Sequence, residues 1–399
     1  MRAWAHAAAA EGWTPHLFCA SRSAGVVETS YGIIHRARSP LWFMPDPNHR
    51  GFPTHSIGFH LRSLSQAVLR FAAARPAGER ALLHGFGHWA AAATRPARRM
   101  RATGREVRCF VTCYDTIDHE FGERWRGMGR HCGPWHRLRM GWEMACLRLC
   151  LDRVEGEALR AADDGLLHYE SVARLVRARW GDGIALRRLP YTCEPAFRPA
   201  PPPAADVPTE IAALRPAGAP LLLSVSRHDE RKGLDTFLRA LRLLRDRGIP
   251  FRAALAGGGG LLRVHRRLLS DFALGGSTVI AGYVADLDPY WRAADIFVLP
   301  SYAEGSGSLS LLEAMRHGKA SVASNVDGLP EDVTDGRDGL LVPPRDPAAL
   351  AGALERLTGD AALRGRLGAA ARETFAARFS PDAVRRAIRD LYGAAPGGG

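Results

Sequence analysis

The chain has 399 residues, 46% of them hydrophobic and 24% charged, with a formal net charge of +13. This composition excludes wholesale disorder, and the length is too great for one ordinary domain, so two domains of roughly 150–200 residues are expected. The charge admits a nucleic acid, an anionic membrane or an anionic substrate, but the densest basic patch, Arg95 to Arg105, has no interleaved aromatics to stack on bases, so no nucleic-acid partner is expected.

Met1 to Ala10 is alanine-rich, interrupted by Trp4 and His6, and reads as a helix rather than a signal peptide. The first half then alternates irregularly. Strands are expected at His16–Cys19, Ala81–His84, Val107–Thr112, Gly165–Tyr169 and Ala185–Leu189. Helices are expected at Ala3–Glu11, Ile57–Ala74, Trp89–Arg101, Arg137–Ala161 and Ser171–Trp180. The seven cysteines (Cys19, Cys109, Cys113, Cys132, Cys146, Cys150, Cys193) have neither zinc nor disulfide-framework spacing and read as buried free thiols of a reducing compartment. No apolar run reaches the roughly 18–20 residues of a membrane span. A cytoplasmic protein is expected, peripheral at most to the inner face of the plasma membrane, and the abundance of arginine and alanine reads as compositional bias before it reads as a dedicated polyanion surface.

A proline-rich stretch, Arg198 to Ala205, forbids continued helix and marks the linker. The domains expected are 1–197, a linker at 198–208, a second domain at 209–379 and a C-terminal helix at 380–394 packing back toward the first domain. Beyond the linker the pattern is regular. A buried strand in the apolar run Leu221–Ser226, between Pro220 and Arg227, leads to a helix over Gly233–Asp246, with leucines at helical spacing. Phe251–Ala256, Thr278–Ala281, Ile296–Leu299, Ala320–Ala323 and Gly339–Val342 read as further strands. Helices are expected near Asp288–Ala294, from Leu309, and at Pro347–Leu357, Ala361–Ala377 and Pro381–Tyr392. Strands alternating with helices imply an α/β domain with a parallel sheet.

Three loops carry chemistry. Arg227 and Lys232 bracket a strand–helix turn ending at Gly233, and two cations beside a helix start suit a diphosphate. Glu304 precedes a Gly/Ser loop (Gly305, Gly307, Ser308) that opens a helix at Leu309. The helix start favours an anion, and Glu304 and Glu313 are hydroxyl acceptors suited to a ribose or hexose. The run Gly257–Gly260 permits close backbone approach to a ligand. Each loop alone also fits a solvated turn or a surface acid. Together they point to one crevice at the strand ends, suited to a nucleoside diphosphate.

From about Leu221 to Phe379 the chain resembles the donor-binding domain of the family 4 (group 1) retaining glycosyltransferases of GT-B fold. The matching stretches are Ser226-Arg-His-Asp-Glu-Arg-Lys-Gly233, Ala281-Gly-Tyr-Val284, Tyr290 to Ser301, Glu304-Gly305, Leu312-Glu-Ala-Met315, Gly328-Leu-Pro-Glu331 and Gly339 to Pro344. The resemblance implies two Rossmann-like parallel-sheet domains facing a cleft, the first lacking its first strand. It implies that Arg227 and Lys232 hold the donor diphosphate, Glu304 contacts the donor sugar and Glu313 the ribose, and that Gly307, Ser308 and Leu309 meet the pyrophosphate or sugar. Backbone near Tyr283 and Val284, with Gly257 and Gly258, would meet the rest of the donor. It further implies a hexosyltransferase needing no metal or other cofactor, moving sugar from a nucleoside-diphosphate sugar to a glycan, lipid-linked or small-molecule acceptor, in bacterial cell-surface polysaccharide or glycoconjugate synthesis. Two departures stand out. Glu304 and Glu313 are nine apart rather than eight, and Tyr114 occupies the place of a first-domain histidine. His84, at a strand end in a glycine-rich turn, is the preferred substitute, ahead of His88 and His119. A catalytically impaired nucleotide-sugar binder is the alternative, and a basic nucleic-acid or membrane binder a remote one.

Overall fold

The structure is a computed structural model. It describes residues 2–21, 23–38, 57–76, 79, 81–116, 119, 122, 125, 133–148, 152–193, 196, 207–305 and 307–393. The expected linker, 198–208, lies almost wholly outside them, as do Cys132 and Cys150 and the side chains of His88 and Cys146. The chain divides into two compact units, one built from 1–122, 133–191 and 381–399, the other from 192–380 with 123–132.

The second unit is a single parallel sheet. Its elements are α7 (Thr209–Ala212), β8 (Leu221–Val225), α8 (Leu234–Asp246), β9 (Arg252–Ala256), α9 (Leu262–Asp271), β10 (Thr278–Gly282), α10 (Asp288–Ala293), β11 (Ile296–Leu299), α11 (Leu309–Arg316), β12 (Ala320–Ser324), α12 (Leu329–Asp332), β13 (Leu340–Val342), α13 (Pro347–Gly359) and α14 (Ala361–Thr374), numbered after those of the first unit below. The strand order is β10-β9-β8-β11-β12-β13, every pairing parallel. Strands buried on both faces need continuous apolar sequence, and Leu221, Leu222 and Leu223 or Ile296, Phe297 and Val298 supply it, all fully buried. On α8, Leu234, Phe237, Leu238, Leu241 and Leu244 recur at helical spacing and are at most 1% exposed, each contributing about 1.5–3 kcal/mol by burial. The expected strands and helices of this half are present to within a few residues. The helix α9 was not among those expected.

The first unit holds α1 (Arg2–Ala10), β1 (His16–Ser21), β2 (Gly25–Thr29), β3 (Gly32–Arg38), α2 (Ile57–Ala73), β4 (Ala81–Phe86), α3 (Ala91–Ala102), β5 (Val107–Thr112), α4 (Pro134–Leu147), α5 (Arg153–Ala161), β6 (Asp164–Leu167), α6 (Glu170–Trp180) and β7 (Leu186–Arg188). Here the structure corrects the expectation of one parallel sheet. There are two sheets: a mixed one, β1-β3-β2, with β2 antiparallel, and a parallel one, β4-β5-β6-β7. The β2–β3 hairpin joins β1 in this mixed sheet, and the helix expected over Arg137–Ala161 is described as α4 and α5, with 149–151 between them outside the described residues. The C-terminal helix Pro381–Tyr392 belongs to this unit and packs on α1, where Glu11 accepts from Arg385 at 3.0 Å and Arg389 at 2.8 Å. Cys109, Cys113 and Cys193 are buried free thiols, but Cys19 is exposed, against expectation.

Candidate functional site

The sheet of the second unit reverses its strand order between β8 and β11, and the crevice outside the carboxyl ends of strands at such a point is where open α/β sheets bind ligands. Every loop singled out by sequence follows such an end: Arg227 and Lys232 after β8, Gly257–Gly260 after β9, Tyr283 and Val284 after β10, and Glu304 through Leu309 after β11.

Backbone contact brings these loops together, and two glycines make it possible. Gly233 has φ +59°, and a Cβ there would lie 2.0 Å from the Pro300 carbonyl oxygen. Gly257 has φ +145°, and its Cβ would lie 1.8 Å from the Ser226 carbonyl oxygen. No side chain fits either place. The turn after β8 thus rests against the loop after β11 on one side and the glycine loop on the other. His228 N–H donates to the Gly258 carbonyl at 2.8 Å, and Tyr302 N–H to the Arg231 carbonyl at 2.6 Å.

The charged groups follow. Lys232 Nζ donates to Glu304 Oε1 at 2.5 Å, with side chains only 15% and 4% exposed. Ser301 Oγ donates to the same oxygen at 2.5 Å. Glu304 is held from behind: its N–H donates to Asp327 Oδ2 at 2.7 Å, and Asp327 sits at φ +47°, a region glycine would favour. Arg227, by contrast, is 67% exposed, its guanidinium 3.2 Å from Asp229. Sequence alone assigns Lys232 to a diphosphate and Glu304 to a sugar. The structure pairs them with each other, a near-buried ion pair beside one solvent-facing cation.

In the loop after β11, Gly307 takes the left-handed turn at φ +87°, and its N–H donates to the Glu304 carbonyl at 2.5 Å, while Gly305 is buried. Ser308 Oγ caps α11 by accepting from Leu311 N–H. Leu309 is 54% exposed and Tyr283 83%, and Val284 is half-buried. Glu313, one turn into α11, accepts from the Trp291 indole N–H at 3.0 Å, and burial raises its pKa above the usual carboxylate range.

Sequence reading missed a second pair. His228 Nδ1 and His265 Nδ1 lie 2.8 Å apart, both rings buried, joining the Arg227 turn to α9. Burial, with His265 and Arg266 nearby, depresses the His228 pKa to about 4, so His228 is neutral at pH 7. The signal for it was a histidine inside an apolar helix stripe, visible only once α9 is known.

In the first unit, His84 is not a free acid or base. Its Nδ1 is 2.5 Å from Tyr392 Oη and its Nε2 2.6 Å from Thr112 Oγ1, and burial takes its pKa to about 3. The ring also meets Trp4 edge-on and stacks on Phe86. The structure thus places His84, the expected first-domain acid–base residue, with both ring nitrogens at hydrogen-bond distance from Tyr392 and Thr112. Tyr114 packs against Phe86 and His168, and burial raises its pKa.

Residues 219–360 match the family model described as Glycosyl transferases group 1. The chain is 32% identical over 181 residues to the lipopolysaccharide core biosynthesis glycosyltransferase LpsE of Rhizobium meliloti, covering 45% of this chain and 52% of that one. It is 29% identical over 281 residues to a GDP-mannose-dependent alpha-(1-6)-phosphatidylinositol monomannoside mannosyltransferase of Mycobacterium tuberculosis, covering 67% and 70%. The match thus spans about half the length of LpsE. Sucrose-phosphate synthase from Thermosynechococcus elongatus superposes with a TM-score of 0.72 at 24% identity, covering 98% of this chain and 90% of that one, which shows the shared GT-B fold. The donor-side motifs set around one strand-order reversal thus fall within the stretch that matches the group 1 glycosyltransferase family model.

Proposed function

We propose that this protein moves a hexose-type sugar from a nucleoside-diphosphate sugar to a glycan, lipid-linked or small-molecule acceptor, with retention at the anomeric carbon, in bacterial cell-surface polysaccharide or glycoconjugate synthesis. The observation that carries this reading is the Lys232–Glu304 pair at 2.5 Å beside exposed Arg227, all at the switch point of the sheet. An arriving diphosphate is met by Arg227 and draws the Lys232 ammonium, while sugar hydroxyls donate to Glu304 in its place. Positive charge fixed where the leaving diphosphate becomes more negative lowers the barrier and does what a divalent metal does elsewhere, so transfer survives chelation by EDTA. Glu313, with the loop amides near Ser308, holds the ribose and pyrophosphate end. The names of the relatives favour this reading: one is GDP-mannose-dependent, another serves lipopolysaccharide core synthesis.

The test is a thermal-shift titration with UDP, GDP and ADP, followed by donor hydrolysis and transfer assays on the responding nucleotide sugar. A rise in melting temperature with one nucleotide, lost in Lys232→Ala, is expected. No shift with any of the three sinks the reading. A binder without turnover is the second reading, favoured by the committed ring of His84. A nucleotide-induced shift with no hydrolysis or transfer of any donor would select it.

A further inference from the structure

We propose that α4 docks this protein on an anionic phospholipid surface, with Trp135, Leu138 and Trp142 entering the headgroup layer. Trp135 is 81% exposed, Leu138 65% and Trp142 72%. They stand at i, i+3 and i+7 of one helix and so share one face, and Ala145, three positions on, is exposed as well. A tryptophan offers about 200 Å² or more for burial, so two of them with a leucine in one row form an apolar patch of the size that marks an interaction site.

Charge and shape select the occupant. Arg137 and Arg148 are exposed on and just after this helix, and the Arg153 side chain is 86% exposed. Between Gly133 and Arg153 the sequence holds Arg137, Arg139, Arg148 and Arg153 against Glu143 and Asp152, within a chain of net charge +13. A second copy of the chain would bring the same positive charge to the contact, whereas an anionic bilayer is complementary to it. The row runs along one face of the helix, with each of its three side chains exposed. A row of tryptophan flanked by arginine matches the membrane–water interface, where the indole ring is half in water and arginine meets phosphate. Among the described residues no helix is long and apolar enough to cross a membrane, so the contact made by this face is peripheral. α4 belongs to the first unit, whereas the donor loops belong to the second.

The experiment is co-sedimentation of the full chain with vesicles of phosphatidylcholine alone or with phosphatidylglycerol added. Binding to the phosphatidylglycerol vesicles, weakening as salt is raised, is expected. Trp135→Ser with Trp142→Ser should weaken it by about tenfold or more. Arg137→Gln with Arg148→Gln should weaken it several-fold and flatten the salt dependence. A dye on Ala145→Cys should shift to the blue when these vesicles are added. Trp135, Trp142 and Ala145 are exposed, so thermal unfolding and the nucleotide-induced shift of the tryptophan and cysteine variants should match the parent, which separates failure here from failure of the donor reading. Three results would each overturn the proposal: no binding of the parent to phosphatidylglycerol vesicles, unchanged binding by the double tryptophan variant, or a concentration-dependent dimer that this variant abolishes.

Discussion

Replacing Lys232 by methionine isolates what the near-buried pair contributes. The Glu304 side chain is 4% exposed and that of Lys232 15%, with Nζ and Oε1 2.5 Å apart. In Lys232→Met the carboxylate keeps Ser301 but loses its only positive partner at hydrogen-bond distance among the described residues. Removing one member of a buried pair costs about 3–5 kcal/mol, because the charge left behind is unbalanced. Partial exposure of Lys232 screens the pair, so roughly 2–3 kcal/mol is expected here. For a unit of this size that is a fall in melting temperature of roughly 4–12 °C. The double variant Lys232→Met/Glu304→Gln removes both charges and should recover most of the loss, since a neutral pair has little desolvation cost left uncompensated. Donor affinity should behave differently: it falls in the single variant and stays low in the double, because the diphosphate has lost a cation in both. Urea unfolding of the transition stabilised by nucleotide, read together with the nucleotide-induced shift, gives both quantities. A single variant within about 0.5 kcal/mol of the parent, the scatter of ordinary surface substitutions, would refute the reasoning. A double variant no more stable than the single would do the same.

Other substitutions probe the backbone contacts and the histidines. Gly233→Ala places a methyl 2.0 Å from the Pro300 carbonyl at φ +59°, so a loss of at least about 1–3 kcal/mol from backbone strain is expected in urea unfolding, with weakened nucleotide binding. His228 has a folded pKa of about 4 against 6.5 for the free side chain. The unfolded state therefore binds the extra proton between these values, and the contribution is full above pH 6.5 and lost as pH falls toward 4. His228→Asn should flatten that part of the stability–pH curve, and an unchanged slope would exclude a buried neutral His228. Tyr392→Phe removes the partner of His84 Nδ1 at 2.5 Å, and a nitrogen left unsatisfied there should cost the first unit about 1–3 kcal/mol. Calorimetry should show this as a lowered transition that nucleotide does not shift.

The local parts of this protein were legible in the sequence. The spacing of Leu234, Phe237, Leu238, Leu241 and Leu244 defines a helix with one buried face, and those residues are buried. The apolar runs at Leu221 and Ile296 define two-sided buried strands, and glycine at 233 and 257 marks backbone that must come close. These features are legible because burial and backbone conformation act on neighbours in the chain. Where the local signal is diluted, reading fails. In α9, arginines at 263, 266 and 267 mask the apolar stripe, and the helix with His265 was missed.

Only the tertiary structure decided which groups meet. Lys232 and Glu304 are 72 residues apart, and their contact exists because β8 and β11 are adjacent in the sheet. The same holds for His84, whose ring nitrogens meet Tyr392 of the C-terminal helix and Thr112. Pattern along a chain records whether a side chain is to be buried. Its partner, and with that its charge state and chemistry, depends on strand order and packing across distances that no local pattern encodes.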